Sequence, residues 1–147
     1  MNLAVASSPF IDAFQGKFTN MLKWEQLDSL WDKVRNNNKH WYIYAVGETP
    51  PTETASSQQL DTFLNEVTRL LKEEHQEDYC GIVYADDKDD PGFIKIYDPN
   101  NLGVVCGYSS NPPLPGWILS ELKPTDLNAA LPQPGNRKRW WQKIFSN

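Results

Sequence analysis

A chain of 147 residues is long enough for one domain to bury a core without disulfides or a structural metal. Six Trp, six Tyr and six Phe within a composition that is 39% hydrophobic and 22% charged exclude wholesale disorder, and the net charge of −5 marks an acidic protein. Its apolar runs fall far short of the roughly 20 residues that cross a bilayer, and residues 1–7 lack the basic start and apolar length of a secretory signal, so a cytoplasmic location is expected.

Taken in chain order, Ser8 followed by Pro9 opens the first helical signal, because Ser caps well and Pro suits the first helical position. Phe10, Phe14 and Phe18 recur at i+4, and Trp24, Leu27, Leu30, Trp31 and Val34 follow the spacing of a core-facing helix that stops at Asn36-Asn37-Asn38. Gly16, Thr19 and Asn20 leave room for a break, so the two stripes read as one helix or two. Residues 40–46 are aromatic and β-branched, end at Gly47 and are apolar on both faces, which reads as an internal strand. Ser56 or Ser57 caps the next helix, whose Leu60, Phe63, Leu64, Val67, Leu70 and Leu71 form the cleanest amphipathic pattern in the chain.

Three short strands follow, at 79–85, 93–97 and 103–108, joined by Asp-, Asn-, Pro- and Gly-rich turns that favour consecutive antiparallel hairpins. With the strand at 40–46 they make an α+β fold whose four-stranded, mainly antiparallel sheet is covered by helices on one face. The Pro-rich stretch 111–116 cannot continue a ladder, since Pro lacks a donor. Trp117-Ile118-Leu119 then reads as a short docking segment. The organisation expected is an α+β domain over 1–120, an extended Pro-containing linker over 121–134 and a basic amphipathic tail over 135–147.

The residue types that carry chemistry are sparse. Cys80 and Cys106 match no zinc spacing, and on strands flanking a shared middle strand they would sit two strand spacings, about 9.5 Å, apart. That exceeds the ~7 Å reach of a disulfide, so both are expected as reduced core thiols. The acidic stretch 86–90 has Lys88 where a calcium loop needs an oxygen ligand, and Gly92 is offset by Pro91, so a solvated turn is expected there. Glu73, Glu74, His75 and Asp78 lack the second His of a helical zinc pair. Nothing flanks either cysteine to lower its pKa as a partner of His40 or His75. Glycine-rich phosphate loops are absent from the sequence. No catalytic residue, metal or cofactor is therefore assigned.

The tail is the exception. Residues 135–147 carry four cations and no acid; taking those charges from the total of −5 leaves −9 on residues 1–134, a body that repels nucleic-acid phosphates. On a helical wheel Trp140, Trp141, Ile144 and Phe145 gather on one face, with Lys138, Arg139, Gln142 and Lys143 around the rest. Such a segment is too short to fold alone, and Arg137, Lys138 and Arg139 crowd the positive end of its dipole. Arg137, Lys138, Arg139, Trp140, Trp141, Lys143, Ile144 and Phe145 are accordingly the expected partner-binding residues, docking on the chain's own body or in the groove of a protein partner. The function expected is that of a small non-enzymatic binding protein: an accessory, adaptor or regulatory factor. The alternatives are a small enzyme or ligand-binding domain with a pocket between sheet and helices, having Cys80, Cys106, His40 or Tyr84 at its mouth, and a tail that contacts a membrane surface or RNA.

Overall fold

The computed structural model describes residues 8–75, 80–100 and 114–131. Helix α1, Pro9–Phe14, starts where Ser8 Oγ accepts from the Ile11 N–H at 3.1 Å, with Pro9 at the position whose missing donor costs nothing. The chain then turns at Gly16 into a two-residue strand β1, Thr19–Asn20, so the two aromatic stripes belong to two helices. Helix α2, Trp24–Asn36, buries Leu27, Leu30, Trp31 and Val34 and ends at Asn37. Asn38 follows at φ 60°, a left-handed conformation that Asn tolerates better than most residues. Helix α3, Ser57–Glu74, is held by a reciprocal cap: Gln59 N–H donates to Ser56 Oγ at 3.1 Å, and Ser56 N–H donates to Gln59 Oε1 at 2.8 Å.

The remaining strands are β2 (Tyr42–Ala45), β3 (Val83–Ala85), β4 (Phe93–Ile96) and β5 (Trp117–Ser120), and a short helix α4 spans Leu127–Ala130. The described strands pair antiparallel, and their order in the sheet is β1-β3-β4-β5-β2. The sheet thus has five described strands where four were expected, and its membership differs. The hairpin from β3 to β4 forms as the turn chemistry requires, with Tyr84 opposite Lys95. The strand expected at 103–108 lies outside the described residues. Trp117-Ile118-Leu119, expected as a docking segment, is instead the strand between β4 and β2: Leu119 stands opposite both Ile94 and Ile43. A four-residue apolar run carries no local mark that separates a strand from a docked loop; its partners on both sides decide.

Helices pack on both faces, correcting the expectation of one covered face. On the first, α2 and α3 meet Ile43, Val83, Ala85, Ile94, Ile96 and Leu119, with Trp41, Leu27 and Leu64 buried in the same cluster. On the second, Phe10, Ile11 and Phe14 of α1 and Leu127 of α4 bury Tyr44, Phe93 and Ile118. Strand β2 is apolar on both sides for this reason. Among the described strands it lies at one edge of the sheet, with β1 at the other, and is not internal; its successive residues face alternate layers. Residues 127–130, within the stretch expected to be extended, are capped by Asp126 and return to the body, where the Leu127 N–H donates to Tyr44 Oη at 3.2 Å. Ser8 Oγ and Thr125 Oγ1, 3.3 Å apart, tie the start of α1 to the same corner. Among the described residues no helix is long and apolar enough to cross a membrane.

Candidate functional site

Two built features stand out on this frame. The first is the turn between β3 and β4. Asp86 Oδ1 accepts from three backbone N–H groups, those of Asp87 (2.8 Å), Gly92 (3.0 Å) and Phe93 (3.1 Å). Asp87 Oδ1 accepts from the Asp89 and Asp90 N–H groups at 2.9 and 3.2 Å, and these bonds hold its carboxyl below the usual carboxylate range. The turn is therefore organised by its own acids. From below, Lys39 Nζ donates to Asp90 Oδ1 at 2.8 Å and to the Pro91 carbonyl at 2.9 Å, and lies 3.4 Å from Glu121 Oε2. Burial pulls the Lys39 pKa down, but the Asp90 hydrogen bond and the Glu121 charge outweigh it and leave the ammonium above its ordinary value. Lys33 Nζ reaches the Lys88 carbonyl at 3.2 Å and Asp89 Oδ1 at 3.6 Å. The result is a fixed acidic knob whose Asp89 and Asp90 side chains remain 77% and 72% exposed.

At the base of this knob Gly92 sits against the movable end of a side chain. A Cβ there would fall 2.5 Å from Glu121 Oε2, so any side chain displaces the carboxylate that Lys39 holds. Among the described residues no group of three or more His, Cys, Asp or Glu side chains is placed to hold a metal ion.

The second feature is Lys95, in the middle of β4. Period-2 alternation puts Phe93 and Lys95 on the face covered by α1, while Ile94 and Ile96 point to the opposite core. Its Nζ lies 4.1 Å from the centroid of the Phe14 ring and 4.0 Å from that of Phe18. Phe18 and Phe14 in turn meet Phe93 edge-on, at 5.7 and 6.3 Å between centroids. Across the strand, Tyr84 shares the face and packs edge-on against Tyr97 at 5.6 Å. Burial drives the Lys95 pKa down to about 8. The two ring faces favour the cation by about 0.5–2 kcal/mol, and so oppose that shift without an anion being present. Among the described residues Lys95 makes no ion pair.

Most of the residues predicted from sequence are not among those described. All of the tail residues, 137–139, 140, 141 and 143–145, lie outside the described residues, as does Cys106. Cys80 is a free thiol with no exposed surface, and burial pushes its pKa up. An open groove of about 350 Å³ is lined by Ile43, Glu53, Thr54, Ala55 and Gln59. Lys95 escapes sequence reading because a Lys between two Ile on a short strand looks like an ordinary solvent-facing position. The i+4 recurrence of Phe14 and Phe18 was visible, but not that it closes over residue 95. Comparison with protein-family models, with curated proteins and with solved structures finds no match to this chain.

Proposed function

We propose that the chain is a small non-enzymatic binding protein that works through protein–protein contacts. What supports the reading is the segregation of charge: an acidic body that presents a rigid knob of exposed carboxylates, followed in sequence by a basic, aromatic tail. Rigid exposed acids suit a basic partner surface, where complementary charge raises the encounter rate and rejects wrong partners. The aromatic residues Trp140, Trp141, Ile144 and Phe145 suit an apolar groove, and Arg137, Lys138, Arg139 and Lys143 its acidic rim.

The test compares the full chain with a chain ending at Leu131 and with a triple variant Arg137→Ala, Lys138→Ala, Arg139→Ala. Each is used as bait in its native host. One partner at fixed stoichiometry should be recovered with the full chain, and both variants should lose it. Recovery of no such partner, or equal recovery with all three baits, would overturn the reading. Binding of the full chain to anionic vesicles or RNA that collapses with salt, with no protein recovered, would replace it with the membrane-surface or RNA reading.

A further inference from the structure

We propose that residues 139–145 of the tail dock on the chain's own body, as an extended segment laid along the outer edge of β2 with Trp141 in the groove beside Ile43. The contact is made within one chain, so it goes beyond the protein-binding reading and does not depend on a partner. The first observation is an open stretch of sheet edge. Val46 N–H donates to the Gly116 carbonyl and Glu121 N–H to the Gly92 carbonyl, which fixes the alternation: Tyr42, Tyr44 and Val46 turn their backbone groups to β5, and Trp41, Ile43 and Ala45 turn theirs outward. Of the outward carbonyls, that of Trp41 accepts from Ala55 N–H at 2.8 Å and that of Ala45 from Glu48 N–H at 3.0 Å. Between them the N–H and C=O of Ile43 have no partner among the described residues, which leaves one rung to which an extended chain can add. The groove of about 350 Å³ opens at the same residue, with Thr54, Ala55, Gln59 and the exposed Glu53 around it.

Charge and reach choose the occupant. Residues 41–66 hold four acids and no Lys or Arg. Asp61 is paired with Arg35 and Glu66 with Arg69, whereas the exposed Glu48 and Glu53 enter no ion pair among the described residues. The tail is the complement: in an extended chain side chains alternate, so Arg139, Trp141 and Lys143 share one side, an indole between two cations to set over Ile43 and its acidic surroundings. The acidic knob is the weaker receiver, because its carboxylates already hold Lys33 and Lys39. The described body stops at Leu131, one helical turn, about 5.4 Å, past Leu127, whose N–H meets the phenol of Tyr44, the residue next to Ile43. The ten residues from Leu131 to Trp141 span up to about 33 Å when extended, enough to pass round the edge of β2, outside which no described strand lies. The segment is too short to hold a helix alone, but an added strand takes its hydrogen bonds from β2. Any partner that takes Trp141 competes with this contact.

The test is amide hydrogen exchange at Ile43, read by NMR in the full chain and in full-length Trp141→Ala. With the tail in place the Ile43 N–H is bonded, so its exchange in the wild type should be at least about tenfold slower than in Trp141→Ala, while that of Tyr44, which bonds to β5, is the same in both. Equal Ile43 rates overturn the proposal: if both are fast the edge is open, and if both are slow something other than the tail covers it. A rate difference that disappears on dilution also overturns it, by assigning the edge to the tail of a second copy. Glu53→Lys should speed Ile43 exchange several-fold in the full chain, and rising salt should do the same. No change with either would sink the pairing of acidic groove and basic tail. Loss of partner recovery in the bait experiment leaves these rates untouched, so the two readings fail separately.

Discussion

Lys95 couples a single side chain to the stability of the whole. Its folded pKa of about 8 lies below the ordinary lysine value of 10.5, so between those pH values the unfolded chain holds the proton that the folded chain has released. Stability contributed through Lys95 therefore rises as pH goes from 8 to 10.5 and is depressed below 8. Lys95→Met should remove that rise, which shows in the difference between variant and wild-type urea midpoints from pH 7 to 10.5. The comparison is needed because burial raises the pKa values of Cys80, Tyr44 and Tyr97, and Lys39 is raised by its acids. Each of those groups loses its stabilising contribution as pH rises through its folded value. Nothing local to Phe93-Ile94-Lys95-Ile96 announces this behaviour, since it comes from burial, and the rings packed over the amine are contributed from some eighty positions away. Ser56 is the opposite case. Its role as cap is readable from Ser56 and Gln59 alone, and Ser56→Ala should cost about 1 kcal/mol by urea denaturation.

At the scale of elements, what was legible was what is local. The starts of α1 and α3 and the stop of α2 at its asparagines follow from caps and 3.6-residue spacing. The turn after β3 follows from its acids, although the sequence does not show that Asp86 alone satisfies three N–H groups. Asp86→Ala should therefore cost ~2 kcal/mol and speed hydrogen exchange at Gly92 and Phe93, whereas Lys88→Ala, which leaves its carbonyl in place, should change neither. Strand β5 was not legible, because a run of four residues is defined by β4 and β2 and not by itself. Helix α4 was hidden by the prolines around it. Its anchor is the phenol of Tyr44, and Tyr44→Phe leaves the buried Leu127 N–H without its acceptor. That change should cost about 1–2 kcal/mol and loosen amides 127–131 in hydrogen exchange before the rest of the fold.

For the molecule as a whole, layers on both faces of one sheet make the C-terminal part of the body as structural as its centre. A chain ending at Leu131 should keep cooperative thermal unfolding. One ending at Ser120 loses α4 with the fully buried Leu127, uncovers Phe10 and Tyr44, and should be destabilised by more than the ~2–5 kcal/mol of a single buried leucine. The charge division acts at the same scale. The knob is held by lysines from α2 and from the segment before β2, so its acids are displayed at fixed positions and are not free to collapse onto a partner. On the proposed reading of a basic partner, neutralising Asp89 and Asp90 together should slow association at low salt with little effect on dissociation, measurable by surface kinetics.

The position of β5 also sets the order in which this protein can be made. The described ladder of β2 runs to Trp117–Ser120, more than seventy residues later in the chain, and the cover over Tyr44 is completed later still by Leu127. During synthesis, Tyr44 therefore emerges long before Ile118 and Leu127, which bury it from that side. Until then the apolar side chains of β2 wait for the last described strand to enter between two that already exist. Folding then waits on a closing event of high contact order rather than growing from the first residues made.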